Sequence, residues 1–92
     1  MGEEIAFRGR IRHWRETPPG GLAVVDIPAD LVGPLGGRRQ HRVRGTLEGK
    51  AFTGSTMLVA GGGFCVGISK AALRATGVAV GQDVDVSLQR AD

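Results

Sequence analysis

LVAGGGFCVGIS, residues 58–69, holds three consecutive glycines followed by the chain's single cysteine, Cys65. Apolar runs flank the cluster, Leu58-Val59 before it and Phe64 to Ile68 after it. Glycines between two such runs read as a hairpin loop, since glycine supplies the positive φ that tight turns require. The competing reading is a phosphate cradle. A dinucleotide fingerprint needs G-x-G-x-x-G opening a helix directly after a strand. Counted from Gly61, the last required glycine is Val66, and a strand-like run follows instead of a helix. The stretch is therefore a turn, and the chain is read as mainly β.

Working outward, the strand after the glycines ends at Ile68, and Ser69 offers its hydroxyl as an N-cap to a helix with the sequence KAALRAT. Gly77 stands just past the helix, where a left-handed residue commonly ends one. Ala71, Ala72 and Ala75 are small, which lets this helix approach a sheet closely. The last strand alternates Val84, Val86 and Leu88 inward with Asp83, Asp85, Ser87 and Gln89 outward. Upstream of the glycines, strands over about 41–47 and 51–59 are joined by a tight turn at Glu48-Gly49. Val43 and Leu47 take one face of the first of these, Arg42 and Arg44 the other.

At the start of the chain, Ile5, Phe7, Gly9 and Ile11 alternate with Ala6, Arg8, Arg10 and Arg12, the pattern of a half-buried strand that ends near Trp14. Residues 15–21 read as a loop because two prolines and two glycines cannot continue a central strand. A second strand spans 22–27 and stops at Pro28. One helical turn, 29–32, precedes Gly33-Pro34, and a second loop runs to Arg39.

The halves echo one another. Val25 and Ile27 match Val66 and Ile68, and Val43 and Leu47 match Val84 and Leu88, with one offset throughout (66 − 25 and 84 − 43, 41 in each case). Phe7-Arg8-Gly9 matches Phe52-Thr53-Gly54 after a further shift of four residues. The chain thus reads as two copies of a strand, strand, short helix, strand unit. Two such units interlock into a small closed barrel of about six strands with one or two short helices, closure removing the edges of a lone sheet.

Ninety-two residues, of which 41% are apolar and 23% charged, suit a single β-barrel domain over residues 1–92. The 16 glycines agree with many tight turns. One cysteine forms no internal disulfide, which points to a reducing, cytoplasmic setting. Glu3 and Glu4 stand where a secretory signal would be basic, and no apolar run is long enough to span a bilayer, so no membrane partner is expected. The net charge of +3 is concentrated in the first half, around Arg8, Arg10, Arg12 and Arg15 and around Arg38, Arg39, Arg42 and Arg44.

No catalytic set stands out. A nucleophilic Cys65 needs a base, and the histidines, His13 and His41, fall on separate strands. One cysteine and two histidines without close spacing make no zinc signature, and Asp83 and Asp85 read as solvated charges rather than an acid–base pair. Gly45 to Ala51 gives G-x-x-x-G-K-A, one residue short of a P-loop and without its Ser or Thr. No cofactor or metal is expected. The candidate contacts are cationic: Arg8, Arg10 and Arg12 in one row, Arg42 and Arg44 alongside if their strands are neighbours, and Trp14 as a stacking plane. Such a surface could track a phosphate backbone. Lys70 and Arg74, four apart on one helix face, could meet a small anion or an acidic partner.

FRGRI, VDIP, VRGTLEGKAFTGS and GGGFCVGISKAALRATGVAVGQDVDVSL, in this order and spacing from about Phe7 to Leu88, resemble the bacterial family called domain of unknown function 1905. The C-terminal block is the most specific part: Ser69-Lys70, Arg74, and a glycine followed closely by an acid before a V-x-V-x-L strand. Gly81-Gln82-Asp83 departs from the commoner adjacent Gly-Asp, and the region before VDIP lacks the aromatic often seen there. The resemblance implies a small closed β-barrel with short helical insertions and supplies no catalytic residues. It also implies a module that stands alone or is joined to a domain resembling bacteriocin-protection proteins. The expectation is a non-enzymatic module binding a protein partner or a small anionic ligand, with nucleic-acid binding through the arginine-rich strand face as the alternative.

Overall fold

A computed structural model describes residues 4–14, 22–35, 40–59 and 61–91. The elements in chain order are β1 (Ile5–His13), β2 (Ala23–Ile27), α1 (Ala29–Leu35), β3 (Arg42–Leu47), β4 (Lys50–Leu58), β5 (Phe64–Ile68), α2 (Lys70–Thr76) and β6 (Asp83–Arg90). The six strands close into an antiparallel barrel in the order β1-β2-β5-β4-β3-β6.

Alternation decides which side chains fill it. Ile5 and Ile11, Val43 and Leu47, and Val84, Val86 and Leu88 turn inward and are buried, while their outward neighbours Arg8, Arg42, Arg44, Asp83 and Asp85 are exposed. The glycine cluster is the turn expected of it. Val59 N–H donates to the Gly63 carbonyl at 2.7 Å and Gly62 N–H to the Val59 carbonyl at 3.0 Å, with Gly61 and Gly62 at φ 96° and 101°. Ser69 caps α2, accepting from Ala72 N–H at 3.0 Å, and Gly77 ends it at φ 74°.

The internal echo is visible in the register. Shifted by the sequence offset, β2 falls on β5, α1 on α2 and β3 on β6, and the strand pairing follows the same rule. Val25 pairs with Val66 and Thr46 with Ser87, each residue facing its own counterpart, so an approximate two-fold axis passes between them. β1 and β4 are the long strands: each pairs with one neighbour along its first part and with another beyond Arg10 or Ser55. Gly9 and Gly54, counterparts in the FRG/FTG echo, sit at this changeover. A Cβ on Gly54 would lie 2.5 Å from the Gly67 carbonyl oxygen, and one on Gly9 2.8 Å from Val25 Cγ1.

Four details depart from the sequence reading. β2 and β3 begin one residue later than expected, at Ala23 and Arg42. α1 does not stop at Val32 but runs through Gly33-Pro34 to Leu35, because Val32 and Leu35, three apart, both bury on the barrel. Pro34 removes an amide donor to the Asp30 carbonyl, which lies on an exposed residue. Of the three helix alanines only Ala72 is buried, Ala71 and Ala75 facing solvent. Fourth, β6 lies between β1 and β3, so the two arginine-bearing strands are not neighbours. The loops expected over 15–21 and 36–39 lie outside the described residues.

Candidate ligand groove on the outer wall

The outward residues of β1 meet those of β6 and β2. In the β1–β6 register Arg8 faces Asp85 and Arg10 faces Asp83. Arg8 Nη1 donates to Asp85 Oδ1 at 2.8 Å, and Arg10 Nε to Asp83 Oδ1 at 2.9 Å. Arg12 reaches Asp26 on β2 with two hydrogen bonds of 2.8 Å, Nε to Oδ2 and Nη2 to Oδ1. The guanidinium hydrogen bonds hold the Asp26 and Asp83 carboxyls below their ordinary value. Exposed pairs of this kind add little stability. Their chemical effect is larger, because each guanidinium of this row already has its anion.

The outward residues of β3 are placed differently. Arg44 lies between Gln89 of β6 and Thr53 of β4, and Thr46 between Ser87 and Ala51. Glu4, one residue before β1, closes the far side. Together with Gly45 and Phe52 these residues line an open hollow of about 550 Å³. Its floor is low because a Cβ on Gly45 would lie 1.8 Å from the Ser87 carbonyl oxygen, so only glycine lets β3 and β6 come this close. The floor's polar groups satisfy one another. Ser87 Oγ accepts from Thr46 N–H at 3.1 Å and lies 2.7 Å from Thr46 Oγ1.

Arg44 is the cation of the hollow. Among the described residues it forms no ion pair, and its Nε donates only to Gln89 Oε1, at a long 3.4 Å. Of the eight residues singled out in the sequence, then, Arg8, Arg10 and Arg12 are paired with carboxylates and Arg44 alone lines the hollow. Arg42 is exposed on β3 outside the lining, and Trp14 is half-buried beyond the end of β1, its backbone N–H donating to the Leu22 carbonyl at 2.7 Å. Lys70 and Arg74 are exposed on α2. Glu4, Thr46, Ala51, Thr53, Ser87 and Gln89 were not singled out. Their alternation marks them as outward, but only the strand order β4-β3-β6 gathers them.

Among the described residues nothing around Cys65 serves as a catalytic base. It points away from the barrel interior, opposite to Phe64 and Val66, yet is buried, with Asp26 and Met57 as its cross-strand partners. Burial pushes its thiol up to about 11, the nearby Asp26 charge adding to the effect. A thiol of that value is neutral at pH 7 and a poor nucleophile. Among the described residues no three His, Cys, Asp or Glu side chains are placed to hold a metal ion.

A family model matches residues 7–88 and is described as a domain of unknown function, DUF1905. The chain belongs to the DUF1905 family. In this DUF1905 domain the match begins at Phe7 in β1 and ends at Leu88 in β6, so both halves of the barrel and the whole of the groove except Glu4 and Gln89 fall within it. A search of curated proteins gives no match. No helix among the described residues is long and apolar enough to cross a membrane.

Proposed function

We propose that this DUF1905 barrel is a non-catalytic, cytoplasmic binding module whose outer-wall groove takes a small anionic ligand. One observation carries the reading: Arg44 stands over a hollow of about 550 Å³ without a carboxylate partner among the described residues, while Arg8, Arg10 and Arg12 each have one. The volume lies within the usual range of small-molecule sites. A cationic fork with open donor positions is the standard means of fixing an anion's orientation. The buried, neutral thiol fits a reducing compartment and supports the non-catalytic part of the reading.

The same ion pairs weigh against the nucleic-acid alternative. A phosphate backbone would have to displace Asp83, Asp85 and Asp26 from their arginines, which removes most of the electrostatic gain. A thermal-shift screen of small anionic metabolites, followed by calorimetry, tests the proposal. At a ligand concentration of about 100 times Kd, a binder raises stability by about 2.7 kcal/mol. Arg44→Gln is expected to abolish the shift and Arg8→Gln to leave it. Salt-sensitive retention of DNA or RNA, lost on replacing Arg8, Arg10 and Arg12, would support the alternative instead, and substrate turnover lost with one side chain would make the protein an enzyme.

A further inference from the structure

We infer that the groove selects a monocarboxylate with a short apolar body, its carboxylate held by Arg44 and the Thr53 hydroxyl. This rests on the groove being an anion site and goes further, to the class of anion and its orientation.

The argument comes from the two-fold axis. Under it, Thr53 of β4 is the counterpart of Arg8 of β1, and Arg44 of β3 is the counterpart of Asp85 of β6. Both couples are cross-strand neighbours at equivalent places on the outer wall, Arg8 facing Asp85 and Thr53 facing Arg44. At the first place a guanidinium and a carboxylate complete one another at 2.8 Å. At the second there is a guanidinium and, where its long charged partner would lie, a short hydroxyl. Arg44 and Thr53 line the hollow. What is missing beside Arg44 is a carboxylate, and Thr53 can donate to one of its oxygens.

Charge and lining narrow the class. Glu4 borders the same hollow, so the lining carries one formal positive and one formal negative charge. A dianion would gain one guanidinium and meet one carboxylate, whereas a monoanion held by Arg44 brings no second charge near Glu4. Beside Arg44 the lining has an apolar wall of Ala51, Phe52 and the Gly45 backbone. An alkyl chain of a few carbons covers that wall and gains by leaving water.

Calorimetry with acetate, hexanoate, hexanamide, succinate and inorganic phosphate is the direct test. Hexanoate is expected to bind about tenfold or more tightly than acetate, phosphate or succinate, with hexanamide not binding, a factor of ten being about 1.4 kcal/mol. Glu4→Gln should bring phosphate and succinate closer to hexanoate. The paired change Arg44→Asp with Thr53→Arg copies the Arg8–Asp85 couple into the groove. It is expected to melt near the wild type and to bind hexanoate at least about tenfold more weakly. If that double variant fails to fold, Arg44→Gln and Thr53→Val give the same readout separately. Phosphate or succinate binding as tightly as hexanoate overturns the carboxylate class and leaves the anion groove standing. Absence of binding by every anion overturns both, and hexanoate affinity unchanged in the double variant places the ligand elsewhere.

Discussion

The β1–β6 seam and the β3–β4 hairpin are the same structure twice, related by the two-fold axis, and they are held together differently. β3 and β4 are joined by the turn at Glu48-Gly49, both residues at positive φ (51° and 82°), as a two-residue hairpin with the right twist requires. β1 and β6 share no connecting turn, being the first and last strands in chain order. Their outer faces carry Arg8–Asp85 and Arg10–Asp83 instead. A turn keeps two strands in register by connectivity, whereas strands from opposite ends of a chain find it by side-chain pairing. The hairpin's counterpart positions carry no ion pair among the described residues, and Arg44 over its hollow stands there. The opposite wall shows a similar divergence. Arg12 and Asp26 form an ion pair in the first half, while their counterparts Met57 and Gly67 are apolar, Met57 Cε lying where it would be 3.2 Å from a Cβ on Gly67.

The largest effect should come where the two halves cannot be exchanged. Gly45 is the counterpart of Val86, and a methyl group at 45 meets the backbone oxygen of Ser87 at 1.8 Å, which no rotamer change relieves. Gly45→Ala is expected to cost more than about 3 kcal/mol and to leave little folded protein near 37 °C, read by urea denaturation. A variant as stable as the wild type would mean that β3 and β6 do not approach as described.

A smaller effect, and an equal one, is expected where the halves agree. Leu47 and Leu88 are counterparts, each fully buried in the core. Leu47→Ala and Leu88→Ala should each lose about 2–5 kcal/mol and agree to within about 1 kcal/mol, because each removes the same atoms from equivalent surroundings. A gap of more than about 2 kcal/mol between them, measured by the same denaturation, would show that the symmetry of the backbone does not extend to packing.

The smallest effect tests the divergent wall. Cys65 is the counterpart of Val24, and both are fully buried on the outer side. Cys65→Val, which copies the other half, is expected to change stability at pH 7 by less than about 1.5 kcal/mol. Its signature is in alkali. With the folded thiol raised to about 11 from 9.0, the unfolded chain loses its proton first, so the native protein keeps its full stability below pH 9 and loses part of it as pH climbs toward 11. That downward slope should be absent in the valine variant, as stability followed from pH 8 to 11 will show. An identical slope in both would mean that Cys65 is not buried as its counterpart is.

Much of this was legible along the chain because it depends on local rules. Alternation marked the inward and outward faces of β1, β3 and β6, Gly61 to Gly63 and Glu48-Gly49 marked turns, and Ser69 and Gly77 bounded α2. The offset between the halves was legible as well, since a duplicated core leaves matching apolar positions. α1 was read too short because Gly33-Pro34 is a local stop signal, and only the barrel surface that receives Leu35 outweighs it.

The residues by themselves determined a β-barrel of two similar halves with an arginine-rich exterior. They could not determine which outward residues would be neighbours. That is a matter of strand order, and β6, the last strand of the chain, inserts between β1 and β3 and brings Asp83 and Asp85 to the arginines of β1. The physical reason is that a side chain's inward or outward direction follows from its own backbone, whereas its partner comes from a strand tens of residues away. Only the closed barrel decides that Arg8 meets a carboxylate and Arg44 does not.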